Sequence, residues 1–202
     1  MKPILFNTEM VRAILDGRKT VTRRVVKFRD GKNPNWTGYV KDGLTLYNGN
    51  NEPCNMPAPF KVHDVLYVRE TWHKYTKRVG KGETCHLAEF YGYKASIANS
   101  EDANEPWRPS IHMPKEAARI FLKVTGVRAE RLKNITESQA VKEGFVDDAE
   151  YCVGNSARGH FMELWNTTIK KDQLQYYGWN ANPYVWVIEF EVIDKAAALK
   201  EG

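Results

Sequence analysis

The sequence predicts a mixed α+β fold, a mostly antiparallel β-barrel with flanking α-helices, and three observations predict it. Strand-like runs are short and of unequal length, helix-like runs are few, and the two do not alternate as a doubly wound parallel sheet requires. With 202 residues, 42% hydrophobic and 27% charged, the chain is long enough to bury one core and has an ordinary soluble composition. The expectation is a single domain over 1–202 that carries an inserted excursion at 28–60.

Pro3 to Phe6 reads as a short strand, after which Asn7 caps a helix whose apolar positions Met10, Val11, Ile14 and Leu15 recur at helical spacing. Gly17 stops that helix. Alternation and β-branched residues predict a strand over Thr20 to Lys27, which leads into an excursion rich in Gly, Asn and Pro with a small hairpin at Gly38 to Tyr47. Val65 to Trp72 is a strand preceded by a turn at His63-Asp64, Glu89 to Ala95 is a second, and a basic, glycine-containing hairpin lies between them. Ser96 to Glu105 is polar and acidic, and Trp107 to Pro114 is an irregular aromatic loop of the kind that lines sites.

Arg119 to Leu132 sets Ile120, Leu122, Val124 and Val127 against charged residues, and its parity shift at Gly126 predicts a bulge in a long strand. Thr136 and Gln139 form a capping box, and Gly144 ends that helix one residue after Glu143. A further helix from Ala157 to Ile169 is expected to bury Phe161, Leu164, Trp165 and Thr168. Tyr184 to Val192 closes the sheet, with Tyr184, Trp186, Ile188, Phe190 and Val192 on one side.

A formal charge of +5 tilts the expected partners toward nucleic acid or another anion. No apolar stretch approaches the roughly 20 residues of a membrane span, and the start MKPILFNTEM lacks a signal-peptide layout. A cytoplasmic location and no membrane partner are expected. The three cysteines, Cys54, Cys85 and Cys152, are odd in number and far apart, and Cys85-His86 with His73 and His112 matches no zinc spacing. No metal and no cofactor are expected.

The densest chemistry lies in Gly17-Arg18-Lys19-Thr20-Val21-Thr22-Arg23-Arg24. Lys19 and Thr22 are three apart, so a continuous strand points them to opposite faces. They share a site only if the chain bends after Gly17 and the lysine folds back over the face bearing Thr20, Thr22 and Arg24. The Thr22 hydroxyl becomes a nucleophile when a base takes its proton, and Lys19 serves as that base if Arg18, Arg23 and Arg24 depress its pKa. The same segment also fits a solvated basic turn that holds phosphate without chemistry. Glu143, at the negative end of a helix, is the best carboxylate for proton transfer, against the plain alternative of a solvated last-turn glutamate. Trp72 and Trp107, beside Arg69, Glu70, Arg108 and His112, suit stacking on a base and holding its edge, or equally a ring buried under a loop.

These residues resemble a known family. The Gly17–Arg24 segment resembles the glycine, lysine, threonine, arginine signature of ASCH-domain proteins in the PUA-like superfamily, of the larger phage and prophage type. His63 to Trp72, Trp107 to Pro114, Ile135 to Phe145 and Asn182 to Phe190 are similar to the family's later blocks. The resemblance implies a PUA-like β-barrel around a cleft and a modified nucleoside or RNA as ligand. Small bacterial members include an amidohydrolase that removes the acetyl group from acetylcytidine with a lysine, a threonine and a glutamate, which match Lys19, Thr22 and Glu143 here. Arg24 matches the arginine that ends the first motif. The expected function is therefore amide hydrolysis of an acylated cytidine, with Arg18, Arg24, Arg69, Glu70, Trp72, Trp107, Arg108 and His112 contacting substrate or RNA. The alternatives are an RNA-binding module, a metal-independent ribonuclease of the same family, and an interaction protein that no residue specifically favours.

Overall fold

The computed structural model describes residues 1–27, 38–54, 56–96, 106–146 and 156–201. Along them run β1 (Lys2–Leu5), α1 (Thr8–Leu15), β2 (Val21–Val25), β3 (Tyr39–Val40), β4 (Leu46–Tyr47), β5 (Val65–Arg69), β6 (Trp72–Val79), β7 (His86–Tyr93), β8 (Phe121–Arg131), α2 (Glu137–Lys142), α3 (Ala157–Thr168), α4 (Leu174–Tyr177), β9 (Tyr184–Ile193) and α5 (Lys195–Glu201). The fold is mixed α+β. Antiparallel pairs join β2 to β9, β3 to β4 and β6 to β7, and β1 pairs parallel with β5. Two compact units divide the chain, each made of separated segments. Among the described residues the strand order of each sheet is open, without a closed ring.

The first unit comprises Met1–Asp16, Val65–Leu122 and Val192–Gly202. Asn7 Oδ1 accepts the Met10 amide at 2.8 Å and so starts α1, which buries Val11, Ala13 and Ile14. Strand β5 is buried from Val65 to Val68, covered on both faces. The single strand expected over Val65 to Trp72 is in fact two. It breaks at Glu70-Thr71, where the Glu70 carboxylate turns inward to a bidentate contact with Arg119 at 2.8 and 2.9 Å. Strand β6 then starts at Trp72, whose backbone exchanges hydrogen bonds with Arg108. The following strand begins at His86, earlier than expected, and the Lys94–Ser96 turn replaces its expected end. Gly80 and Gly82 take the left-handed positions of the hairpin's turn. Val65, Tyr67, Trp72, Met113, Ala117, Phe121 and Ala198 form this unit's core.

The second unit comprises Gly17–Asp64 and Lys123–Glu191. Val21 lies opposite Glu189 and Val25 opposite Val185, and bonds from Phe190 N to Thr20 O and from Val26 N to Tyr184 O extend the ladder at both ends. Strand β9 lies between β8 and β2, and Val185 to Ile188 are buried on both of its faces. One-sided alternation therefore describes it poorly: Val185 and Val187 are core residues, while Val192 is 56% exposed. At Gly126, the expected bulge position, β8 passes so near β9 that an added Cβ would lie 3.0 Å from Glu189 Oε2. Val21, Leu132, Ile135, Ala140, Phe161, Trp165, Trp179, Val185 and Val187 make the core. Helix α3 buries Phe161 and Trp165, but Leu164 is half-buried and Thr168 is exposed, its hydroxyl returned to Trp165 O. The hairpin expected in the excursion is β3–β4. Residues 28–37 of that excursion, most of the acidic stretch after Ser96, and Cys152 lie outside the described residues.

Two elements have no counterpart in the sequence predictions. Residues 171–181 form a chain of short turns around α4, anchored by bonds from Trp165 Nε1 to Tyr177 O and from Trp179 N to Asn166 Oδ1. Helix α5 starts where Asp194 Oδ1 accepts the Ala197 amide. No described helix is long and apolar enough to cross a membrane.

Candidate functional site

The second unit brings together residues far apart in sequence. Gly17 (φ 73°) takes the chain out of the helix, and Lys19 and Thr20 run antiparallel to the end of α2, with a bridge between Lys19 and Glu143 and a bond from Thr20 N to Lys142 O. On the other side, Thr136 and Gln139 close the capping box that starts α2, and Glu143 caps its C-terminus before a left-handed Gly144. Arg18 Nη1 donates to Gly144 O and closes the same corner.

Lys19 Nζ donates to Val21 O and Glu143 O, both at 2.8 Å, and to Glu143 Oε2 at 2.7 Å, which gives three acceptors for three ammonium protons. The second carboxylate oxygen, Oε1, accepts from Arg23 Nη1 at 3.0 Å. Arg23 Nη2 reaches Glu130 Oε1 at 2.7 Å and Gln139 Oε1 at 3.1 Å. Lys19 and Glu143 are 2% and 3% exposed, so this ion pair is buried. Burial pulls the Lys19 pKa below its ordinary value, and Glu143 opposes but does not cancel that pull. Burial acts likewise on Arg24, with Glu143 again supporting the charge.

Strand alternation sorts the motif. Val21, Arg23 and Val25 share one face, where the Arg23 guanidinium lies 5.9 Å from the Phe161 ring centre, while Thr22 and Arg24 share the other. Thr22 is buried and Arg24 half-buried. The bend after Gly17 is present, and the Lys19 side chain curls onto its own strand at Val21 O. The structure thus joins Lys19 to Glu143 directly and places Thr22 one residue beyond the carbonyl that Lys19 holds. A proton held between Nζ and Oε2 has a short path from one to the other, the requirement for an acid and a base working as a pair.

Sequence reasoning gave Arg23 only an indirect part, yet it is the residue that orients Glu143. Its signal was its parity with Val21, which aims it at the core. Gln139 holds both Thr136 N and Arg23 Nη2 through one oxygen, so the capping box also braces the charged cluster. Arg23 Nε has no hydrogen-bond partner among the described residues.

The remaining predicted contacts belong to the first unit. Trp72 is 4% exposed and sits in the core, with the Arg108 guanidinium 5.3 Å from its ring centre. The Trp72 ring is packed within that core. Glu70 is 1% exposed and paired with Arg119. Arg69 is half-buried, lies over Tyr67 and donates to Ile111 O. Trp107 is half-buried against His73, while Arg108 and His112 are exposed. Among the described residues no group of three or more His, Cys, Asp or Glu is placed to hold a metal ion.

No protein-family model matches the chain, and no curated protein matches it. Among solved structures, the crystal structure of protein EF3133 from Enterococcus faecalis V583, described by the family-model DUF984, aligns with 95% of this chain and 71% of its own at 12% identity and a TM-score of 0.43. A likeness of that degree assigns no family, and the charged cluster around Lys19 and Glu143 stands on its own geometry.

Proposed function

We propose that this chain is an ASCH-type hydrolase with a PUA-like barrel that removes the acyl group from the exocyclic amine of an acylated cytidine. The observation that carries the proposal is the 2.7 Å contact of Lys19 Nζ with Glu143 Oε2 in a buried site, beside a strand that bears Thr22. The mostly antiparallel strand pairing supports the barrel, whose closure is part of the proposal.

In the proposed reaction Lys19 passes its proton to Glu143 and, now neutral, takes the proton of the Thr22 hydroxyl. The Thr22 oxygen attacks the acyl carbon, the carbon–nitrogen bond breaks, and protonated Glu143 supplies the proton that the departing amine needs. Glu143 then takes a proton from water, whose oxygen attacks the Thr22 ester. The acid leaves, and Lys19 returns a proton to the Thr22 oxygen. Arg24, on the Thr22 face, supplies positive charge for the oxyanion. Burial favours the neutral Lys19 that the first step requires.

Incubation of the purified protein with acetylcytidine, followed by chromatography of released cytidine, tests the proposal. Turnover is expected, with a loss of about 100-fold or more in Lys19→Ala and Thr22→Ala. No turnover, or full activity in Lys19→Ala, refutes it.

A further inference from the structure

We propose that the β6–β7 hairpin carries a second site, a stacking platform for single-stranded nucleic acid on the face that bears His73, Tyr75 and Lys77. Strand pairing sets Trp72 opposite Tyr93, His73 opposite Gly92, Tyr75 opposite Phe90 and Lys77 opposite Ala88. One face of the hairpin base, with Trp72, Tyr91 and Tyr93, packs on the first unit's core. The opposite face carries a row of rings: Trp107 to His73 at 4.7 Å, His73 to Tyr75 at 5.4 Å and Tyr75 to Phe90 at 5.7 Å between centres.

The row is built from the inside outward. His73 is 7% exposed, and a Cβ on Gly92 would come within 1.8 Å of its Nε2, so the glycine is what lets the imidazole lie across the neighbouring strand. That anchored ring backs Tyr75, and Tyr75 and Phe90 emerge 36% and 37% exposed. Beyond them Lys77 is exposed opposite a small alanine.

Partly exposed rings on a strand face that also carries an exposed lysine suit unstacked bases joined by phosphates. The hairpin holds four Lys and Arg against two Glu, and Lys74 already pairs with Glu89 at 2.7 Å. This charge favours a polyanion and opposes an identical hairpin from a second copy. Duplexes hide the base faces that the rings would take, which selects single strands.

Fluorescence anisotropy of the full chain with labelled 12-mer oligouridine, oligodeoxythymidine and a duplex of equal length decides it. Both single strands are expected to bind better than the duplex, with affinity falling as salt rises. Tyr75→Ala and Phe90→Ala are each expected to weaken binding about tenfold, and Lys77→Ala to reduce the salt slope by about one. Tyr75→Leu keeps apolar cover without a π-face, so it should lose binding as Tyr75→Ala does while its thermal midpoint stays that of the parent. Unchanged binding in the Tyr75 and Phe90 variants, preference for the duplex, self-association without oligonucleotide binding, or capture by anionic vesicles alone would each overturn the proposal. The readout is binding, so its failure is distinct from failure of the hydrolase proposal.

Discussion

Replacing Glu143 with glutamine keeps the shape of the cluster and removes its central negative charge. Of the contacts from Lys19 at 2.7 Å and Arg23 at 3.0 Å, one keeps only a neutral amide oxygen and the other faces an NH2 group that cannot accept. Breaking a buried pair from one side costs about 3 to 5 kcal/mol. The lower end applies here, because Lys19 keeps Val21 O and the backbone carbonyl of residue 143, and Arg23 keeps Glu130 and Gln139. At about 2 to 3 kcal/mol per molar urea, the unfolding midpoint should fall by about 1 to 1.5 M. Trp165 and Trp179 pack in the same core as Val21, so their fluorescence follows the unit that is perturbed. A pH series sharpens the test. In the folded chain the Lys19 pKa lies below its ordinary value, so between the two values unfolding takes up a proton and stability rises with pH. Glu143 holds that pKa up, so its loss lowers it further and extends the window to lower pH. The deficit of Glu143→Gln should therefore shrink between pH 7 and pH 10. A midpoint shift below about 0.3 M, or a deficit that does not change with pH, would falsify the buried-charge account.

Three further outcomes follow from the same geometry. Gly92→Ala should cost about 1 to 3 kcal/mol in thermal denaturation, because the added methyl meets the His73 ring; in His73→Ala the same change should cost much less, and an equal cost in both backgrounds would exclude the clash. Thr136→Ala removes the acceptor of Gln139 N and should cost about 1 kcal/mol, with acetylcytidine turnover also reduced because Gln139 braces Arg23; stability loss with unaltered turnover would separate the cap from the site. If Lys19 acts as base, kcat/KM for acetylcytidine should rise with pH and level off below the ordinary lysine pKa, the direction of its burial shift; a rate that keeps rising through that value would assign the base elsewhere.

Local signals in the sequence were strong where a single residue's chemistry determines the backbone. Asn7 and Thr136 cap their helices through the oxygens that such caps use, and Gly17 and Gly144 take positive φ where the helices end. Position within the fold was less legible. Alternation in β9 predicted one buried side, but a strand with neighbours on both edges and cover on both faces buries Val185 and Val187 as well. Charged residues flank Trp72 in sequence, yet after the strand break at Glu70 its ring lies in the core. Arg23 does not stand out among the four basic residues of its segment, since what distinguishes it is the company of Glu130, Gln139 and Glu143, more than 100 positions away. Such partnerships are set by strand register, which no local pattern reveals.

That separation also sets a timetable. Lys19 and Glu143 are 124 residues apart, and closing a loop of that length costs about 4 kcal/mol of chain entropy before the contact returns anything. Synthesis at about 5 to 20 residues per second leaves Lys19 and Arg23 waiting roughly 6 to 25 s for their carboxylate. During that interval two cations destined for the interior lack the carboxylate that joins them in the folded chain. The second unit, assembled from Gly17–Asp64 and Lys123–Glu191, can complete its charged cluster only after the intervening segment has been made.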